Sequence, residues 1–282
     1  MRTSEDVRTA VSAVRRGSGT VSVVALVAGE PRPRVSVEPD VRHYSASTMK
    51  LPILVAAHRL AERGVLDLDR PVTVHDDVDS VLPGVRFRVD PGEDSDPETW
   101  DALGRTVPLR DLVERMVTVS GNLATNLVLE SVGLAEVAAV LADAGCSELT
   151  RVVRGIEDYA ARDAGIDNLV TAADLARLVV ALAEGRLAGA ASTAACERTL
   201  LAQTYRAGIP AGLPGGLVVG NKTGWVDGVN HDVALVRAPD LPPVGIAVLV
   251  TAPGTPAERE AGIARIARAA WAEVDAGGPG LP

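Results

Sequence analysis

The sequence predicts a mixed α/β protein: one antiparallel five-stranded sheet built from both chain ends, covered by the terminal helices, with an all-helical domain inserted between them. Three observations carry this. Short β-branched runs cluster near the two ends of the 282-residue chain. The middle carries apolar residues at helical rather than alternating spacing. The first and last patterned segments are themselves helical. We therefore assign residues 1–46 and 205–282 to a sheet domain and 47–204 to the helical insert.

Taken in order, Ser4–Arg15 places Val7, Ala10, Val11 and Val14 on one helical face. Thr20–Val27 and Pro33–Val37 read as strands separated by a turn with Gly29 and Pro31. An apolar helix opens at Ser47 and runs to Gly64, a residue suited to a helix stop. Pro52 inside it should bend the axis. Leu66–Glu98 reads mostly as turn and loop and contains an acidic cluster, Asp90, Glu93, Asp94, Asp96 and Glu98. Its spacing fits no calcium loop, so a solvated surface loop is expected.

Helical periods resume at Leu109–Val119, Leu123–Val132 and Leu134–Ala144. Thr150–Asn168 is polar and irregular. Helices return at Thr171–Ala183, with Thr171 as cap, and at about Thr193–Gln203. The pattern then changes to strands at Leu217–Thr223, Asp232–Arg237 and Val244–Thr251. A helix over Pro256–Val274 and a Gly/Pro tail expected to fray complete the chain.

Composition narrows the function. A net charge of −9 argues against nucleic acid, which needs a basic face. No segment has the apolar length of a membrane span. The first residues lack the apolar stretch of a signal peptide, which leaves a cytoplasmic protein or one exported with its signal removed. Cys146 and Cys196 form no Cys-x-x-Cys pair and are expected as free thiols. His43, His58 and His75 are scattered without metal spacing.

The chemistry is carried by Ser47-Thr48-Met49-Lys50. In a helix, residues three apart share a face, so the Ser47 hydroxyl and the Lys50 amine would open onto one space. A serine hydroxyl needs a nearby base at neutral pH, and an uncharged lysine can serve. The chain has 28 cationic residues but only two lysines, Lys50 and Lys222; the other 26 are arginine. Arginine keeps its proton, whereas lysine is tuned by burial and neighbours. Keeping lysine at only two places marks those places. Lys222 opens Lys222-Thr223-Gly224, and a third short motif, Ser120-Gly121-Asn122, precedes a helix in the middle region.

Together, in this order, the three motifs resemble the signature elements of the penicillin-recognising serine enzymes, more closely the class A β-lactamases, and the resemblance covers nearly the whole chain. It implies a β-lactamase/transpeptidase-like fold and a serine hydrolase that opens β-lactam amides through an acyl-enzyme, without metal or organic cofactor. Ser47 would be the nucleophile, Lys50 the base or proton relay, and Ser120 the donor to the leaving nitrogen, aided by Lys222. Asn122 would hold the substrate's side-chain amide and orient Lys50, and Thr223 would bind a substrate carboxylate beside Lys222. The backbone N–H groups of Ser47 and of Trp225, just after Gly224, would form the oxyanion hole. The family's deacylating glutamate maps to Glu157 within Arg154-Gly155-Ile156-Glu157-Asp158-Tyr159, with Asp158 as a rival and Arg154 as a clamp on the loop.

The chain departs from the family pattern in several places. Residues 157–161 read Glu-Asp-Tyr-Ala-Ala where Glu-x-x-Leu-Asn is usual, and Gly121 stands where the common form has aspartate. The span from Ser47 to Ser120 is longer than usual, and the acidic loop is the natural place for the extra residues. Trp225 and His231-Asp232 replace polar groups on the third motif's strand. Adjacent strand residues face opposite sides, so His231 beside Asp232 reads as structural. Two rival readings share the fold: a D-Ala carboxypeptidase or esterase, and a sensor or trap that β-lactam acylates with little turnover. The expected partner is a small β-lactam or acyl-amide, and the expected state is a monomer.

Overall fold

The computed structural model describes residues 3–278. Helix α1 (Glu5–Arg15) starts where the Ser4 side chain accepts from Val7 N, and it buries Val7, Val11 and Val14. Strands β1 (Thr20–Val27) and β2 (Val35–Val37) follow, then the short β3 (His43–Tyr44). A 3-10 turn over Ala46–Met49 leads into α2 (Lys50–Glu62).

Two expectations change here. Ser47 does not open the α-helix but lies in the 3-10 turn before it. Because α2 begins at Lys50, Pro52 falls in its first turn, where a missing N–H leaves the α-helical ladder intact. Leu51, Ile53, Leu54, Val55, Ala56 and Ala57 are all buried, so this helix is enclosed rather than amphipathic.

The stretch read as loop contains β4 (Pro71–Thr73), β5 (Asp77–Asp79), β6 (Arg86–Arg88) and α3 (Pro97–Asp101), followed by β7 (Thr106–Pro108). These strands make two small two-stranded sheets, β4 with β7 and β5 with β6. At three residues each they are too short to show an alternating pattern. Helices α4 (Leu109–Thr118), α5 (Asn122–Val132) and α6 (Leu134–Asp143) match the expected periods closely. The polar stretch after them holds only α7 (Tyr159–Asp163) and ends at β8 (Leu169–Val170), which pairs with β3. Next come α8 (Ala172–Ala183), capped by Thr171, then α9 (Ala190–Leu201) and α10 (Ile209–Gly212).

Strands β9 (Val218–Val226), β10 (Val229–Ala238) and β11 (Leu241–Thr251) complete the main sheet, and α11 (Pro256–Ala276) closes the chain. The strands are longer than their apolar runs because the ladder continues through Trp225, Asn230 and His231. Between β9 and β10 the chain reverses in two residues, Asp227-Gly228, with Gly228 at φ 73°. The far end of the tail, 279–282, lies outside the described residues.

The sheet order is β2-β1-β11-β10-β9, with every pairing antiparallel. Alternate residues divide the core in two. Val21, Val23, Val248 and Val250 pack with Val11 of α1 and Ile263 and Ile266 of α11. Val24, Val233, Leu235, Ala247 and Leu249 face the other way, into a cluster with Met49, Leu175 and Val179. Both faces are covered, which is why the strands read as continuous apolar runs. The edge strand β9 lies against the 3-10 turn that carries Ser47.

Candidate active site

The 3-10 turn begins at Ala46, a non-glycine residue at φ 43°, and Thr48 Oγ1 donates to Ser45 O at 2.6 Å. This places Ser47, 9% exposed, in the wall of a cavity. Strand β9 approaches so closely that a Cβ on Gly224 would stand 2.9 Å from both Ser47 N and Thr48 N. Only glycine lets the strand pass at that distance. One turn on, Lys50 is fully buried, and its Nζ donates to Ser120 O at 2.7 Å and Asn122 Oδ1 at 2.9 Å. Its hydrogen bonds run to the second motif rather than to the Ser47 hydroxyl.

Ser120 joins α4 to α5 at φ 62° and is 2% exposed. Its Oγ accepts from Lys222 Nζ at 2.9 Å and lies 3.4 Å from Lys50 Nζ. Lys222, also fully buried, donates in addition to Thr223 O at 2.8 Å. The Thr223 hydroxyl is buried without a partner. Three motifs far apart in the chain thus meet around one serine oxygen.

The Asn122 amide links this group to the loop after α6. Its oxygen accepts from Lys50, and its Nδ2 donates to Glu157 Oε1 at 2.8 Å. Glu157 lines the same cavity as Ser47, and its Oε2 accepts from Asp90 N at 2.7 Å. Asp158 is buried elsewhere: it caps α7 through Ala161 N and binds Ser80 Oγ and Val81 N. Of the two rival acids, only Glu157 reaches the cavity. Arg154 pairs with Asp167 at 2.7 Å and closes the loop's ends. Asn126, which the motif reading missed, grips the loop from α5, accepting from Ile156 N at 2.9 Å and donating to Ile156 O at 3.0 Å. It lies one turn beyond Asn122, and that spacing was its only signal.

Residues 3–274 match the profile of the Beta-lactamase enzyme family. The chain belongs to this family. Similar solved structures include the β-lactamase from Sphaerobacter thermophilus DSM 20745, at 28% identity over 98% of each chain with a TM-score of 0.79. The ancestral GNCA class A β-lactamase is 26% identical over 98% of this chain and 100% of that one, with a TM-score of 0.80. PBP-A, at 21% identity over 97% of each chain and a TM-score of 0.80, shares the fold. A search of curated proteins finds no match. The fold is therefore β-lactamase/transpeptidase-like, with the expected five-stranded sheet.

In this member of the β-lactamase family the cavity is about 740 Å³ and is bordered by Ser47, Asn122, Glu157, Tyr159, Trp225 and Arg259. Burial pushes the Lys50 amine down to about 7 against the opposing pull of Asp94, Glu157 and Asp96. Burial and the nearby Lys50 charge also push Lys222 well below its ordinary value. Burial raises the Glu157 carboxyl above the usual range, opposed by its bonds from Asp90 N and Asn122. Among the described residues, no group of three or more His, Cys, Asp and Glu is arranged to hold a metal ion.

The acidic loop is a correction. Asp90, Glu93 and Glu98 are exposed, as expected, but the loop also borders the cavity through Glu93 and turns Asp94 and Asp96 inward. Asp94 accepts from Asn122 N and Leu123 N, both at 2.8 Å, and so caps α5; Asp96 is fully buried. A charge cluster interrupted by Pro and Gly carries no sign of this, because the α5 partners of Asp94 lie 28 and 29 residues downstream. His231 is structural, as read: Val250 N donates to its Nδ1 and its Nε2 faces Tyr44 O. Asp232 accepts from Asn221 Nδ2 and Ile209 N, away from the cavity. Cys146 and Cys196 are free thiols.

Proposed function

We propose that this chain is a serine hydrolase of the class A β-lactamase type, opening β-lactam amides through an acyl-Ser47 intermediate. One observation carries the reading: a single amide, Asn122, bridges the fully buried Lys50 and Glu157 beside the cavity wall that holds Ser47. Neutral Lys50 takes the Ser47 proton as Oγ attacks the lactam carbonyl. The N–H groups of Ser47 and Trp225 hold the developing oxyanion. Ser120, set between two lysines, gives its proton to the departing nitrogen as the C–N bond breaks and takes the Ser47 proton in turn from Lys50 Nζ, 3.4 Å away. Glu157 then draws a proton from water as it attacks the acyl ester, and gives that proton to Ser47 Oγ as the ester C–O bond breaks.

On the substrate side, Thr223, beside Lys222, takes the carboxylate. We further propose a monomer with the domain division at residues 46/47 and 204/205. A point mutant of PBP-A has been captured as an acyl-enzyme complex with penicillin G, which makes that drug the natural probe. Hydrolysis of penicillin G by the wild-type chain, lost in Ser47→Ala, is expected. Retained hydrolysis in Ser47→Ala would contradict the assignment. A carboxypeptidase or esterase of this fold would instead leave penicillin intact and cleave D-alanyl peptides or esters.

A further inference from the structure

Gly121 has φ −57° and ψ 128°, angles open to any residue, so its backbone does not require glycine. Space does. A Cβ at position 121 would lie 2.7 Å from Asp96 Oδ2 and 2.8 Å from Asp96 Cβ. The carboxylate of Asp96, brought in by the 90–98 loop, already fills the place that a side chain at 121 would take.

A fully buried carboxylate must be paired to persist. Asp96 Oδ1 accepts from Arg115 Nε at 2.7 Å and Thr99 N at 3.2 Å, and Oδ2 accepts from Thr99 Oγ1 at 2.5 Å. Arg115 also holds the turn itself, because its backbone oxygen accepts from Gly121 N at 3.2 Å and Val119 N at 3.4 Å. The residue between them, Ser120, is held in the left-handed region. Such a conformation is strained for a residue with a Cβ and persists only where the surroundings fix it.

We propose that Asp96 is a positioning residue for the reaction: from the acidic loop it packs beneath Gly121, locks Arg115 against the Ser120–Asn122 turn, and so aims Ser120 at Lys50 and Lys222. The family's usual aspartate at position 121 is absent here, and a carboxylate from another segment stands against that position instead. The kinetic part of this inference rests on the β-lactamase reading; the packing part does not.

The test is a double-mutant cycle on the full chain with Asp96→Gly, Gly121→Asp and the two combined, following both melting temperature and penicillin G kinetics. Gly121→Asp alone should lower Tm, because two carboxylates compete for one space. Asp96→Gly should lower kcat about tenfold or more while KM moves little, as expected of lost orientation. The double variant should melt above both single variants and recover much of the lost kcat. Asp96→Asn, close to isosteric, removes an anion that favours charged Lys50, so it should move the acid limb of the pH–rate profile to lower pH.

Additive single effects on Tm, or a Gly121→Asp variant that melts and turns over like wild type, would overturn the proposal. So would an unmoved acid limb with unchanged kcat in Asp96→Asn. If the wild-type chain leaves penicillin untouched, the functional reading fails, and the melting cycle still decides the packing.

Discussion

Lys222 Nζ donates to Ser120 Oγ at 2.9 Å, although the two residues stand 102 positions apart in the chain. Lys50 Nζ lies 3.4 Å from the same oxygen. Two buried ammonium groups around one hydroxyl repel each other, and burial penalises both. The arrangement keeps the Lys50 amine poised to lose a proton at about pH 7, which a solvated lysine does not do.

The first prediction concerns the cost of that poise. The Lys50 pKa falls from the ordinary 10.5 to about 7 on folding. Between those values the unfolded chain binds more protons, so this group's contribution to stability rises with pH across about 7–10.5 and is unfavourable at neutral pH. Lys50→Met should therefore hold or raise Tm at pH 7, while turnover falls by about 10²–10⁴-fold, the usual worth of a positioned base. Lys50→Arg should be as inactive, because a guanidinium keeps its proton. Thermal melts and initial rates check both.

The second prediction is the shape of the pH–rate profile. On the proposed mechanism only neutral Lys50 accepts the serine proton, so acylation should rise through about pH 7 and level off above it. Single-turnover acylation rates measured on both sides of that pH would show this limb.

A third prediction separates the two acids. Glu157 is buried in the cavity wall and reaches Asn122, whereas Asp158 caps α7. Glu157→Gln should leave acylation near wild type and slow deacylation by about 10²–10⁴-fold. Asp158→Ala should instead lower Tm, by loss of a cap worth about 1 kcal/mol. Pre-steady-state kinetics and melting curves distinguish them.

A fourth prediction follows from the closeness of β9 to the serine. Gly224→Ala would push a methyl to 2.9 Å from Ser47 N and Thr48 N. Such overpacking costs about 1–3 kcal/mol, and here it displaces Ser47, the proposed nucleophile. A loss of kcat/KM larger than the loss of Tm accounts for is expected.

Much of this was legible in the sequence, for definable reasons. Helices α4, α5, α6 and α8 follow from apolar periods and from Thr171 as cap. Keeping lysine at only positions 50 and 222 pointed to both amines before any geometry was known. What stayed hidden depends on contacts between distant segments. Asp94 and Asp96 read as solvated charges, because nothing local shows that Asn122 N and Arg115 will meet them. The strands of residues 71–88 are too short to carry a period. Gly121 read as a missing aspartate, and only the packed structure shows the carboxylate of Asp96 against it.

The central claim is that Ser47 becomes acylated and that Glu157 clears the ester. Intact mass spectrometry after mixing with penicillin G tests it most directly. The wild-type chain should show a transient adduct of one drug mass on Ser47, followed by free protein and hydrolysed drug. Glu157→Gln should hold that adduct, and Ser47→Ala should form none. An adduct in Ser47→Ala, or no adduct and no hydrolysis in the wild type, would contradict the account.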